Sequence, residues 1–184
     1  MNKTFVTILS IGMALPAAMS AQKTTVHHGY PIDQVPFTSV KVIQNTFWGQ
    51  RLKAAHDVTI PLAFSKCKST GRYDNFVRAA HPSDSYDVNK LEPLPFDDTD
   101  VYKTIEGASY ELHTYPDKKL VAYIDSVLDI VAAAQEKDGY LYTARTMNPK
   151  HPHNWSGPTR WSKTEDLSHE LYNLGHMVDA ACAH

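Results

Sequence analysis

The sequence predicts a mainly α-helical protein built of helical hairpins, with only short β segments. Apolar residues recur at intervals of three and four in two long segments, residues 101–115 and 120–137, which is the spacing of an amphipathic helix. Long, polar, aromatic-rich loops separate the helical segments. Such loops are typical of an array of helical hairpins and not of a bundle with tight turns.

The amino-acid composition is typical of a globular domain and does not predict nucleic-acid binding. At 184 residues, the chain has the size of one ordinary domain. A hydrophobic content of 42% and a charged content of 21% are those of a globular protein. The formal net charge is −2, so there is no basic footprint and nucleic acid is not a predicted partner.

The N-terminus predicts export. Residues 1–21 have the pattern of a signal peptide, with Lys3 before an apolar run from Phe5 to Leu15 and small residues at 16–21. The apolar run is too short to span a bilayer, so we expect a periplasmic or secreted protein without a stable membrane span. Residues 22–37 form a polar N-terminal extension, and residues 38–184 form the predicted domain.

The first elements of the domain are short. The β-rich run Val40–Ile43 predicts a strand. A helix opens at Phe47, where Asn45 or Thr46 is the expected N-cap. Another begins at Ile60–Pro61, since proline is tolerated in a first helical turn, and Gly71 is its expected end.

The later elements are longer and clearer. After an irregular stretch at 81–95, the oxygens of residues 98–100 are expected to cap a helix that runs to Tyr115. The next helix runs to about residue 137, with Gly139 at the C-cap position. Tyr140–Thr143 predicts a short strand or extended segment, and the last helix is expected from about Leu167.

Candidate binding residues concentrate in that last helix. Helical spacing places His169 beside Tyr172, Tyr172 beside His176, and Glu170 beside Asn173. A helix that only buries itself would have apolar residues at these positions, whereas this one presents donors and acceptors. The two histidines are seven residues apart and position 173 is Asn, so the run is not an HExxH zinc motif and no metal is predicted on them.

Other residues have both a functional and a structural interpretation. Arg72 and Asn75 either point into a cleft or belong to a solvated helix terminus. Tyr140 and Tyr142 share one face of an extended segment, where they either form a wall for a ligand ring or pack locally.

Two further groups have mainly structural interpretations: the charged residues of the helix that follows residue 97, and the cysteines. Asp98 and Asp100 are expected mainly to cap this helix, and Glu106 is a candidate ion-pair partner of Lys103. The chain has 2 cysteines and no CxxC. We expect both to be free thiols, and no complete metal site is predicted.

The collinear motifs resemble the N-terminal part of glycoside hydrolase family 127, the β-L-arabinofuranosidase family. The resemblance covers residues from about 38 to the end of the chain. It is carried by the runs FWGQR at 47–51, VTIP at 58–61, TGRYDNF at 70–76, DTDVYKTIEGASY at 98–110, AQEKDGYLYT at 134–143 and RWSKTEDLSHELYNLGHMVDAACAH at 160–184.

This resemblance implies an incomplete (α/α)6-barrel catalytic domain and removal of non-reducing-end β-L-arabinofuranose from plant-type glycans. It also implies a zinc-bound cysteine nucleophile and a glutamate acid/base, both downstream of His184. Zinc is therefore expected in the full-length family member, with no catalytic residue and no cofactor in this chain. The substrate-binding residues that it implies are His169 first and His176 second, with Arg72, Asn75 and Tyr142 as weaker candidates.

The same resemblance predicts a C-terminally truncated chain that is inactive alone. Two alternatives stay open. One is a carbohydrate-binding module that needs no catalytic residues. The other is another (α/α)6-barrel enzyme acting on uronate-containing sugars, for which Arg72, Arg145 and Arg160 are the available basic groups.

Overall fold

The computed structural model describes residues 31–32, 35–91 and 94–184. The chain divides into two units, residues 1–36 and residues 37–184, and the second contains every helix described below. The predicted signal peptide and most of the predicted extension lie outside the described residues.

The second unit is helical. Its α-helices are α1 (Phe47–Ala54), α2 (Ile60–Ser69), α3 (Arg72–Ala80), α4 (Asp98–Thr114), α5 (Lys118–Ala134), α6 (Thr143–Thr146) and α7 (Glu170–Ala183). A 3₁₀ turn covers Phe37–Ser39, and a π-helical turn, Ala55–Thr59, joins α1 to α2. None of these helices is long and apolar enough to cross a membrane.

The mainly α prediction is confirmed, but the predicted strand at Val40–Ile43 is wrong. No β-strand occurs within residues 35–91 or 94–184. Val40 and Ile43 are exposed to 51% and 72%, and no neighbouring strand pairs with them. β-Branched residues favour a strand only where a sheet surface is available for packing. In the later segment, Tyr140–Thr143, Tyr142 is extended and Thr143 begins α6.

Several helix boundaries follow the sequence signals. The hydroxyl of Thr46 caps α1 by accepting a hydrogen bond from the amide of Gly49 at 3.3 Å. Gly71 follows α2 with φ of 79°, a conformation that glycine adopts without strain, and α3 begins at the next residue. The sequence did not predict α3 as a separate helix. The last helix begins at Glu170, three residues later than expected.

The core forms around α4, which packs against α2, α3 and α7, while α5 packs against α3. Each helix contributes the residues of its apolar face, as the helical spacing predicts. The buried stripe of α5 is Ile124, Val127 and Val131. Fully buried large side chains elsewhere include Tyr102, Tyr142, Phe76, Ile105 and Met147.

A buried carboxylate ties the start of α4 to α6. Asp98 accepts hydrogen bonds from the amide of Thr143 at 2.9 Å and from its hydroxyl at 2.6 Å. The prediction that Asp98 and Asp100 cap α4 is wrong, because the N-cap position is Asp97 and no side chain caps it. Loss of solvent raises the pKa of Asp98 to about 6, although the two bonds from Thr143 oppose the shift.

We expect the Asp98→Asn substitution to change how stability depends on pH. Because the pKa of Asp98 is raised from 3.8 to about 6 on folding, its contribution to stability is fully present below pH 3.8 and is lost as pH rises through 6. The free energy of unfolding of the parent chain relative to the variant should therefore fall between these pH values, by about 1.4 kcal/mol for each pH unit. Urea denaturation of both proteins across this range measures the difference, and parallel pH curves would contradict the assignment.

Candidate functional site

A groove runs along the exposed side of α4 between α2 and α7; we call it the α4 groove. It consists of two adjoining open cavities, of about 600 Å³ and 400 Å³, which share Asp100 and Lys103. The larger cavity is also lined by Phe96, Thr99, Thr164, Asp166, His169, Leu171 and Tyr172. The smaller one is also lined by Ala63, Lys66, Cys67, Thr70, Arg72 and Thr104. The groove therefore contains two of the predicted binding residues, His169 and Arg72.

His169 lies at the N-cap of α7 with φ of 59°, in the left-handed region that non-glycine residues rarely adopt. Its Nδ1 lies 2.5 Å from the carbonyl oxygen of Leu167. Since a carbonyl oxygen only accepts, Nδ1 carries the proton, and in the neutral ring Nε2 is left as an acceptor. The ring packs edge-on against Phe96, with 5.1 Å between centroids. The imidazole of His169 and the ring of Phe96 therefore line the same cavity.

The left-handed backbone of His169 is held by buried hydrogen bonds on either side of it. Glu170, 3% exposed, accepts from the hydroxyl of Tyr140 at 2.5 Å and from the amide of Trp161 at 3.0 Å. The hydroxyl of Tyr142 donates to the carbonyl of Ser168. Trp161 is the other non-glycine residue with positive φ in the described chain, at 63°. Strained backbone of this kind persists only where the surroundings impose it.

Three rings form a continuous row along α7, as the helical spacing predicted. The centroids of His169 and Tyr172 lie 5.8 Å apart, and those of Tyr172 and His176 lie 4.7 Å apart. Lys103 from α4 donates a hydrogen bond to the hydroxyl of Tyr172, and its Nζ lies 4.7 Å from the centre of that ring. It forms no salt bridge with Glu106 among the described residues, so the expected ion pair is wrong. Lys103 was missed as a groove residue, although its spacing of three from Asp100 places both on one helix face.

The opposite end of the groove is closed by ion pairs. Nε of Arg72 lies 3.1 Å from Oδ2 of Asp100, and Nη2 of Arg72 lies 3.1 Å from Oδ1 of Asp97. Asp97 is buried, and desolvation raises the pKa of its carboxyl, against the opposing effects of the amide of Leu94 and of Arg72. Arg72 therefore borders the groove with its charge already balanced.

The remaining predicted binding residues lie away from the groove. Asn75 is buried on α3, and Tyr142 is 1% exposed. The hydroxyl of Tyr142 accepts from Ser156 at 3.3 Å while it donates to Ser168, so its contacts are those of local packing. His176 is half-buried farther along α7, on the far side of Tyr172. Substrate contact by these three residues stays a prediction.

Comparison with known proteins identifies the family. The model of the beta-L-arabinofuranosidase, GH127 catalytic domain, matches residues 39–184. The chain belongs to this family. The sequence prediction of family 127 is thereby confirmed.

Individual proteins similar to this GH127 chain are also arabinofuranosidases. The chain is 40% identical over 96 residues to the non-reducing end beta-L-arabinofuranosidase of Bifidobacterium longum. These aligned residues are 52% of this chain and 14% of that protein. The solved structure of a GH127 beta-arabinofuranosidase is 75% identical to the chain, with a TM-score of 0.79. This match covers 85% of the present chain and 24% of that enzyme. The crystal structure of a GH127 beta-L-arabinofuranosidase from Geobacillus stearothermophilus T6 is 30% identical, with a TM-score of 0.63. This match covers 75% of the present chain and 21% of that enzyme. The chain thus spans less than a quarter of the length of these relatives, and its helices form part of their helical barrel.

The zinc–cysteine chemistry that the resemblance implies does not fit the cysteines of this chain. Cys67 is buried on α2, where its thiol contacts the carbonyl of Asp100 and the hydroxyl of Thr104, and burial raises its pKa. Cys182 is exposed on α7. Neither belongs to the cluster of potential metal ligands in the described residues, which contains no thiol. No reaction step can be assigned to zinc bound by these residues.

We expect Glu170→Ala to destabilise the fold, because it leaves the Tyr140 hydroxyl and the Trp161 amide without their acceptor. An unsatisfied buried polar group costs about 1–3 kcal/mol, so the free energy of unfolding should fall by at least this amount in urea denaturation. Glu165→Ala, at an exposed position of the preceding loop, is the matched control and should have little effect. Equal stabilities of the two variants would show that the Glu170 carboxylate does not support the loop.

Proposed function

We propose that the protein carrying this chain is a glycoside hydrolase that releases β-L-arabinofuranose from non-reducing ends of plant-type glycans. The family match over residues 39–184 carries the proposal, and the name of the Bifidobacterium longum relative supports the sugar and its position. In this proposal the present chain supplies one wall of the sugar site, and the remainder of the barrel supplies the acid/base and the nucleophile.

The α4 groove has the groups that bind a sugar. The rings of Phe96 and Tyr172 offer apolar surface for the C–H faces of a furanose. Nε2 of His169 can accept a hydrogen bond from a hydroxyl, and the Lys103 ammonium has donors beyond the one used on Tyr172. Small polar ligands are typically oriented in this way, by few polar groups set among aromatic walls. We therefore assign His169 as the principal substrate-binding residue of this chain.

The alternative of a uronate-specific barrel enzyme is disfavoured by the partners of the arginines. Arg72 is paired with Asp97 and Asp100. Arg160 is paired with Glu136 and Asp138. Arg145 donates to the carbonyl oxygens of residues 157 and 158 at 2.8 Å and 2.9 Å. A uronate carboxylate would have to displace these contacts, so a neutral sugar is the better substrate class.

We further propose that the protein acts outside the cytoplasm, in the periplasm or the medium. The signal-peptide pattern of residues 1–21 supports this location.

The test is hydrolysis of an aryl β-L-arabinofuranoside by the native protein that carries this chain, with the α anomer as the matched substrate. We expect the β anomer to be hydrolysed and the His169→Ala variant to lose about 10²-fold or more in kcat/KM, since it removes an oriented hydrogen-bonding group from the site. His151→Gln, at an exposed position on the loop after α6, should keep the parent activity.

Three results would contradict parts of this proposal. Absence of hydrolysis with retained binding of L-arabinose would indicate a carbohydrate-binding module. Preferential hydrolysis of the α anomer or of a uronide would overturn the substrate class. Full activity of His169→Ala would leave the family assignment intact but remove this residue from the site.

A further inference from the structure

We propose that Glu106, His176 and Asp179 form a binding site for a divalent transition-metal cation that joins α4 to α7. Glu106 belongs to α4, whereas His176 and Asp179 belong to α7 and are three residues apart. One ligand atom from each residue lies within 4.8 Å of the others. The cluster lies beyond Tyr172 along α7 and does not include His169, so it is separate from the proposed sugar contact.

The three side chains lack other partners. Nδ1 of His176 is buried and has no hydrogen-bond partner among the described residues. The nearest charged atom is Oδ2 of Asp179 at 3.9 Å, which is too long for a hydrogen bond. Within the described residues, neither the Glu106 carboxylate nor the Asp179 carboxylate accepts a hydrogen bond. A buried polar atom without a partner destabilises the fold, and a cation between these groups would supply that partner.

The spacing suits a shared ion better than direct contacts. Zinc binds imidazole nitrogen and carboxylate oxygen at about 2.0–2.2 Å, so ligands of one ion are themselves farther apart than a hydrogen-bonded pair. The 3.9 Å between His176 and Asp179 is such a separation, and all three ligand atoms lie within 4.8 Å of one another.

The chemical types of the three ligands indicate which metal ions the site would bind. One imidazole with two carboxylates suits Zn²⁺ and similar first-row cations, because Ca²⁺ and Mg²⁺ prefer sites made only of oxygen. Three protein ligands leave a fourth tetrahedral position open for water. Asp179 is 60% exposed, so the ion can enter from solvent. The proposal stands on this geometry alone and is independent of the proposed glycosidase activity.

The test is isothermal titration of the tag-free 184-residue chain with Zn²⁺, together with Co²⁺ as a spectroscopic probe. We expect one bound cation and a Co²⁺ spectrum of nitrogen and oxygen ligands without thiolate charge-transfer absorption. Glu106→Gln, His176→Gln and Asp179→Asn should each weaken binding by about tenfold or more, since even an indirect contact to a metal ligand is worth that much.

The matched control is His184→Gln. His184 also lies near a carboxylate, with 3.5 Å between its Nε2 and Oδ1 of Asp125, but no third ligand joins this pair among the described residues. Its substitution should leave Zn²⁺ binding unchanged.

Thermal unfolding gives an independent measurement. Zn²⁺ should raise the Tm of the parent chain and of His184→Gln, but not that of His176→Gln. Far-UV circular dichroism establishes that each variant is folded, and Asp179→Asn changes an exposed group that folding does not require. Absence of Zn²⁺ binding by the parent chain, equal affinity of the cluster variants, or thiolate absorption with Co²⁺ would each overturn the proposal.

Discussion

The fold near the groove depends on one buried acceptor, the carboxylate of Glu170. It begins α7 and receives hydrogen bonds from Tyr140 and Trp161, two residues that are distant from it in the loop region between α5 and α7. Arg160 lies over the ring of Tyr140, 4.1 Å from its centre. These contacts fix a long connection that has little regular structure of its own. The left-handed conformation of His169, and with it the direction of the imidazole, is a consequence of that anchoring.

The central helix, α4, contributes to the core, the groove and the contact with α7, because each of its faces has a different neighbour. Val101, Tyr102 and Ile105 enter the core, while Asp100 and Lys103 line the groove. One further turn along the groove side is Glu106. Because successive positions on one face of a helix are three or four residues apart, a single rigid element sets the spacing between the groove-lining groups and the acidic group near His176. Rigid elements position functional side chains more closely than loops do.

The sequence was informative where local spacing determines structure. The apolar stripe of α5 and the row formed by His169, Tyr172 and His176 both follow from helical periodicity alone. Asp98 was misassigned as a cap because its partner, Thr143, is 45 positions away, and no local pattern indicates such a contact. The run at Val40–Ile43 has strand propensity but no sheet to join. For Tyr142, the spacing predicted that it shares a face with Tyr140. The spacing could not predict whether that face is directed to the protein interior or to a ligand.

The π-helical turn between α1 and α2 has an evolutionary consequence. It keeps residues 47–69 one continuous rod while accommodating one more residue per turn than an α-helix. Upstream of it Trp48 is 69% exposed, and downstream of it Phe64 is 3% exposed. Deleting a single residue from Ala55–Thr59 would restore regular helix and leave the faces of the flanking segments nearly in register, because one π-helical turn holds about one residue more than one α-helical turn. A homologue that lacks this extra residue would therefore present the same face of the upstream helix to its surroundings.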